Sequence, residues 1–488
     1  MALKILFVSH EVAPFAKVGG LADVAGSLPK ALKLLGHDVR VIMPAYQMIL
    51  DEPLNDIADS ELTFEVSVSD ELRTAELHET TLPNSEVPLY LLATNDWFDK
   101  SISSPTVYQP GSEQHAFFSN GVLRACEALE WIPDVVHCND WQTGMIPVLM
   151  NQSKDAEWKQ VASVFTIHNL AFQGEFEPEV LQEFGLADSL FNMFQLEAFG
   201  SVNFLKAGCT FADHVNTVSP QYAAEIQSAE FGCRLEGLMH HLQDAGRLSG
   251  ILNGLDYEEF NPDKDPRIEA NFSPYALEGK EKCKEALYHE LHLAPIPNAP
   301  LLGVVSRLSE QKGMDLLLSI ADRLFLSPMQ VVVQGLGDEW IAQKCRHLAD
   351  RFPYHFRFAE RFDPEFAQRV YAGADMFVMP SKFEPCGLGQ LIAMRYGTVP
   401  IVRSTGGLAN TVADGVTGFV FQAQEPEALL AACRRACFAF GQPDTWQAMM
   451  RKAMTHSSDW SKSAQEYSDL YEAIVKAKSL KQIETLAA

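Results

Sequence analysis

Short apolar runs alternate with longer amphipathic stretches through both halves of this chain. In the first half, residues 5–8, 39–43, 135–138, 162–166 and 214–217 read as buried strands, and 23–35 carries helical spacing. Residues 63–93 follow period two instead, at Phe64, Val66 and Val68 and again at Leu89 and Leu91. That predicts strands and a hairpin appended to the sheet. The pattern then restarts: strands at 301–305, 331–334, 356–358, 376–379 and 399–402, with helices at 314–326, 338–351, 364–372 and 388–396. Between the halves, 261–300 is rich in Pro, Asn and charge, with one helix at 280–291. Strand–helix alternation of this kind predicts an α/β protein with two Rossmann-like, doubly wound parallel sheets. The junction is expected near 253–261, giving domains 1–253 and 254–462 with a ligand in the cleft between them.

Composition narrows the class. At 488 residues and 47% hydrophobic, the chain has material for two large cores. No apolar run approaches the roughly 18 residues of a membrane span. The opening apolar stretch ends at Ser9-His10-Glu11 and reads as a strand rather than a signal peptide. Nine scattered cysteines without Cys-x-x-Cys argue against a disulfide scaffold or zinc ribbon, so a cytoplasmic setting is expected. A net charge of −26 disfavours nucleic acid and anionic membranes as partners, but not a neutral polysaccharide. An anionic ligand then needs a local basic cluster.

Candidate chemistry gathers at the loops after strands. Met376–Met379 is followed by Ser381, Glu384 and then Gly387-Leu-Gly389, which opens a helix. Bare amides at a helix mouth suit a phosphate, and Glu384 suits the polar part of a ligand. A sugar nucleotide offers both. Lys17-Val-Gly-Gly-Leu-Ala-Asp23 reads equally as a close-approach loop with a point charge and as an ordinary glycine turn. Arg307 and Lys312 flank a turn that clamps a diphosphate or simply carries surface charge. His168 lies just past a strand end, where a structural histidine is the commoner outcome. Asp140 suits a helix N-cap, Trp141 either core or a sugar-stacking plate, and Asn253-Gly-Leu-Asp256 a turn. Their joint placement after strands of two separate sheets is what favours a shared site.

These motifs resemble the bacterial glycogen synthase and plant starch synthase family, retaining glycosyltransferases of the GT-B fold. The resemblance rests on Lys17-Val-Gly-Gly-Leu-Ala-Asp-Val24, His137-x-x-Asp-Trp141, Ile167-His-Asn-Leu-Ala-x-Gln-Gly174, Asn253-Gly-x-Asp256, Ser306-Arg-x-x-x-Gln-Lys-Gly313, Glu384-Pro-Cys-Gly-Leu388 and Ser404-Thr-Gly-Gly-Leu408. It implies two domains facing each other across a deep cleft and a last helix, about 463–488, packing back on the first. It implies that Lys17, Gly19, Gly20 and Asp23 approach the donor, and that Arg307 and Lys312 neutralise the departing diphosphate. Glu384 would hold glucose hydroxyls beside Gly387 and Leu388, with His168 and Asn253 lining the glucose site. Asp140 would lie toward the acceptor, Phe362 would stack on the nucleobase, and Cys386 would have a conformational or redox-sensitive role. Gly389 stands where the family usually has threonine, Gln142 where many relatives have histidine, and Asn410 where many have aspartate. Ile392 leaves Glu384 without the second carboxylate of the wider superfamily.

The implied reaction moves glucose from ADP-glucose to the non-reducing 4-hydroxyl of an α-1,4-glucan such as glycogen, with retention and without metal or other cofactor. UDP-glucose as donor and a non-catalytic glucan-binding regulator are the alternatives carried forward. A dinucleotide redox enzyme is disfavoured because no Gly-x-Gly-x-x-Gly is present.

Overall fold

Period-two and buried apolar runs become two separate sheets in the computed structural model, which describes residues 1–52, 57–58, 62–98, 103 and 107–487. The first sheet takes β1 (Lys4–Val8), β2 (Asp38–Pro44), β3 (Thr63–Val68), β4 (Glu71–Thr81), β5 (Pro88–Ala93), β6 (Val135–Asn139) and β7 (Ala162–Ile167). A small antiparallel sheet follows, formed by β8 (Glu175–Phe176), β9 (Glu197–Ala198) and β10 (Ser201–Asn203). β11 (His214–Thr217) and β12 (Leu248–Gly250) then return to the first sheet, whose order is β12-β11-β7-β6-β1-β2-β5-β4-β3. Every residue of β6 and β7 is buried, as expected for parallel strands covered on both faces.

The region expected as strands and a hairpin appended to the sheet is found there. β5 pairs in parallel with β2, Val41 opposite Leu89, and the β3–β4 hairpin extends the sheet antiparallel beyond it. The first helix is Gly20–Leu34, beginning three residues earlier than its spacing suggests because Leu21 and Ala22 are already buried.

The second sheet is all parallel: β13 (Leu301–Val305), β14 (Gln330–Gln334), β15 (Phe356–Ala359), β16 (Met376–Met379), β17 (Val399–Arg403) and β18 (Phe419–Phe421), ordered β15-β14-β13-β16-β17-β18. Its core joins Val331, Val333, Met376 and Ile401 to Ile320, Cys345 and Leu429 from the flanking helices. Lys280 is buried, yet its ammonium donates to Ala372 O at 2.9 Å, Tyr396 O at 2.8 Å and Thr398 Oγ1 at 2.7 Å. Desolvation still pulls its pKa down to about 8.

Two compact units result. The first holds Met1–Val218, Ala223–Gly254 and the segment from Trp460 onward; the second holds Ser219–Tyr222 and Leu255–Asp459. The excursion of Ser219–Tyr222 has no signal in the sequence. Its Ser219 hydroxyl donates to Pro385 O at 2.6 Å, and Asn410 Oδ1 accepts the Gln221 amide at 3.1 Å. The last helix, Trp460–Ala487, docks within the first unit. Tyr471 O–H meets His137 Nδ1 at 2.7 Å, the Tyr467 hydroxyl oxygen accepts from Asn216 Nδ2 at 2.8 Å, and Ser468 meets His37 at 2.9 Å. Burial lowers the His137 pKa to about 3, so the ring is neutral and needs both partners, Tyr471 and Thr166.

Tyr471→Phe should therefore leave a buried imidazole nitrogen unpaired and cost about 1–3 kcal/mol, read as a lower urea midpoint. An unchanged midpoint would show that this contact does not anchor the helix.

Candidate active site

In the second sheet the strand order reverses between β13 and β16: β14 and β15 lie to one side, β17 and β18 to the other. Loops after those two neighbouring strands meet at the carboxyl edge, where ligands of open α/β sheets bind. The loop after β13 is closed by Gly313, whose φ is +67° and whose Cβ would fall 2.0 Å from Pro380 O. Glycine is required there by both conformation and space. The Lys382 amide donates to Gln311 O at 2.8 Å and ties the loops together. Lys312 Nζ is thereby brought to both oxygens of Glu384, at 3.0 and 2.7 Å, and Ser381 Oγ donates to the same carboxylate at 3.0 Å. Both charged groups are largely buried, at 19% and 7% side-chain exposure, so neither is a solvated surface charge.

Glu384, Gly387, Leu388 and Gly389 line a pocket of about 120 Å³ together with Lys312 and Ser381. That volume admits part of a ligand, not a whole sugar nucleotide. Gly387 has φ +76°, and Gln390 beneath it donates to Cys386 O at 3.2 Å and Gly387 O at 2.8 Å. Cys386 is buried, and Gly407 packs against its carbonyl so closely that a Cβ would come within 2.1 Å. Arg307 is exposed, and its guanidinium reaches Gln311 at 3.4 Å. Phe362 is 71% exposed, an unusual setting for a phenyl ring on the loop after β15. The helix expected from 388 begins at Gly389, with Leu388 at its cap.

The first sheet reverses between β1 and β6. After β1, Glu11 is buried and its carboxylate accepts the amides of Val18 at 2.6 Å and Gly19 at 2.7 Å; Tyr108 donates to its other oxygen. Glu11 thus folds the glycine loop, a role that the sequence reading missed. The signal available was an acid directly after a buried strand and before paired glycines. Lys17 pairs with Asp23 at 2.6 Å, so the two form an ion pair rather than separate charges. Gly19, the cap of the helix that Gly20 opens, has an extended backbone, and a Cβ there would meet nothing within 4 Å. Neither strain nor packing inside the protein demands glycine at this position.

Asp140 does not cap a helix with its side chain. Its φ is +57°, and its carboxylate instead accepts the His168 amide at 2.7 Å. A strained backbone of this kind persists where the surroundings fix it. His168 Nε2 lies 2.9 Å from Asn139 Oδ1, while Asn139 Nδ2 donates to Val8 O and His137 O. That orientation makes His168 Nε2 the protonated nitrogen and Nδ1 the acceptor. Burial lowers its pKa to about 3, so the ring is neutral near pH 7. Trp141 is half-buried, held against Gly174 and His115. Asn253 is buried with its Oδ1 unpaired among the described residues.

Comparison with known proteins gives the family and the fold. The starch synthase catalytic domain family matches residues 4–241, and glycosyl transferases group 1 matches 299–437. The glycogen synthase of Moorella thermoacetica is 42% identical over 488 residues, covering 98% of each chain. That of Thermotoga maritima is 42% identical, covering 96% of this chain and 98% of its own. The chain belongs to the glycogen synthase family. The catalytic domain of Arabidopsis thaliana starch synthase IV, solved with ADP and acarbose, superposes with TM-score 0.91 at 30% identity, covering 98% of this chain and all of that one. Sucrose-phosphate synthase from Thermosynechococcus elongatus shares the fold alone, with TM-score 0.61 at 19% identity over 97% of this chain and 99% of that one. The fold is thus GT-B and the family's activity is glycosyl transfer. Among the described residues no helix is long and apolar enough to cross a membrane.

Burial holds the Asp140 carboxyl at about 7, above its ordinary 3.8, although the His168 and Asn169 amides pull it down. From about pH 4 to 7 the folded chain keeps a proton that the unfolded chain has lost, so stability falls as pH rises through that window. Asp140→Asn removes this contribution. Its Tm minus that of the wild type should grow from pH 4 to 7 and level off above; a difference independent of pH would show that this carboxyl titrates normally.

Proposed function

We propose that this chain transfers glucose from ADP-glucose to the non-reducing 4-hydroxyl end of an α-1,4-glucan such as glycogen, with retention of configuration. The observation that carries the reading is the Lys312–Glu384 pair in the pocket at the β13/β16 reversal. One carboxylate to accept from sugar hydroxyls, one ammonium to meet a phosphate and bare glycine backbone beside them suit a sugar diphosphate. The related starch synthase IV structure holds ADP, which supports an adenine nucleotide.

In this reading Arg307 and Lys312 stabilise negative charge on the diphosphate as the anomeric C–O bond breaks. Phe362 stacks on the base, and Gly387, Leu388 and Cys386 shape the sugar and phosphate end. In the same reading Lys17, Gly19, Gly20 and Asp23 approach the donor, and nothing lies within 4 Å of where a Gly19 Cβ would stand. His168 Nδ1 and the unpaired Oδ1 of Asn253 accept from glucose hydroxyls, with Asp140 toward the acceptor. Retention proceeds on one face of the sugar. The acceptor oxygen bonds to the anomeric carbon as the diphosphate leaves, and the departing phosphate takes the acceptor's proton. No protein carboxylate is assigned as nucleophile, so a trapped glucosyl-enzyme would refute this route.

An exposed phenyl ring stacks on either base, which makes UDP-glucose the second reading. Incorporation of labelled glucose into glycogen from ADP-glucose and UDP-glucose in parallel separates them. Transfer from ADP-glucose, reduced at least about 100-fold in Glu384→Ala, is expected. Transfer chiefly from UDP-glucose would keep the enzyme and change the donor. Glucan binding without transfer from either would instead indicate a non-catalytic glucan-binding protein.

A further inference from the structure

We propose that Tyr371 binds the donor's diphosphate through its hydroxyl, and that glycine at position 389 is what admits it. The inference rests on the donor site proposed above. Tyr371 lies on the helix Pro364–Gly373, which precedes β16 and the loop that carries Glu384. It is buried, with its ring tilted against Phe377 at 4.8 Å between centroids. Yet it lines the same pocket as Lys312, Glu384, Gly387 and Gly389. The side chain is therefore a core ring whose polar end reaches the ligand space, the usual way a tyrosine serves both environments.

Gly389 shows why the hydroxyl reaches it. Gly389 does not have a left-handed backbone, so conformation does not require glycine there. Space does. A Cβ at 389 would lie 3.3 Å from the Tyr371 hydroxyl oxygen, 3.2 Å from the Phe377 ring and 3.3 Å from Met379 Sδ. Of these three neighbours only the Tyr371 oxygen is a hydrogen-bonding group. A side chain at 389 would crowd that oxygen and take its place over the pocket. With no side chain at 389, the Tyr371 hydroxyl stands beside that point from the neighbouring helix. An O–H near Lys312 donates to a phosphate oxygen, which carries the negative charge the ammonium also faces.

Tyr371→Phe tests this while keeping the ring and its packing. Donor KM and the Kd for ADP, measured by calorimetry, should each rise about tenfold, as for a lost hydrogen bond to a charged group. Glucan KM and Tm should stay at wild-type values. Unchanged donor KM and ADP Kd would overturn the proposal. So would a lowered Tm with both KM values raised alike, since that is the signature of packing. Gly389→Ala should raise donor KM in the wild type and add nothing in the Tyr371→Phe background; additive losses would overturn the coupling. A wild type that binds ADP about tenfold more tightly than Tyr371→Phe, yet transfers no glucose, would sink the proposed reaction and leave this assignment standing.

Discussion

The pairing of Lys312 with Glu384 is the constraint on which the second half of the site depends. Removing two charges from water costs several kcal/mol per ion unless each finds partners. Here the ammonium spans both carboxylate oxygens and Ser381 adds a hydrogen bond. The arrangement demands that two loops, one after β13 and one after β16, pack within hydrogen-bonding distance. Gly313 makes that approach feasible, because any side chain there would strike the Pro380 carbonyl. The pair is therefore evidence of preorganisation more than of stability. A pocket that already holds its acid and base in place has little left to order when a charged ligand enters.

The first half uses a different device for the same end. Two carboxylates, one buried and one partly buried, accept backbone amides instead of pairing with lysine or arginine. Glu11 gathers Val18 and Gly19, and Asp140 gathers His168. Each acid fixes a loop at the edge where β1 and β6 part. The cost differs between them. Asp140 is desolvated enough to hold its proton up to about pH 7 and sits in a positive-φ conformation besides. Strain and unfavourable burial concentrated at one residue are typical of a site kept for chemistry rather than for folding.

Motif residues do not all share one kind of environment. Glu384 and Lys312 are buried and mutually satisfied, whereas Arg307 and Phe362 stand in solvent. His137, from the same motif as Asp140, turns its ring into the core and holds the last helix through Tyr471. Trp141 is clamped among aromatic neighbours. A motif read along the chain is thus a mixture of exposed and structural positions, and only packing separates them.

The amino-acid order alone set the α/β class, most strands of both sheets though not the short β12 and β18, and the glycine-bearing loops after them. It could do so because burial of parallel strands writes continuous apolar runs, and glycines at strand ends mark close approaches. It also carried the family resemblance, since Lys17–Asp23 and Glu384–Leu388 are contiguous. What it could not reveal are relations across the chain. The parallel pairing of β5 with β2, the crossing of Ser219–Tyr222 into the second unit and the grip of Glu11 on the glycine loop depend on which surfaces meet. The same holds for the Lys312–Glu384 pair, 72 residues apart, and for Tyr371 over Gly389. Local propensity fixes elements, but partners are chosen by the packing of whole layers, and that choice exists only in three dimensions.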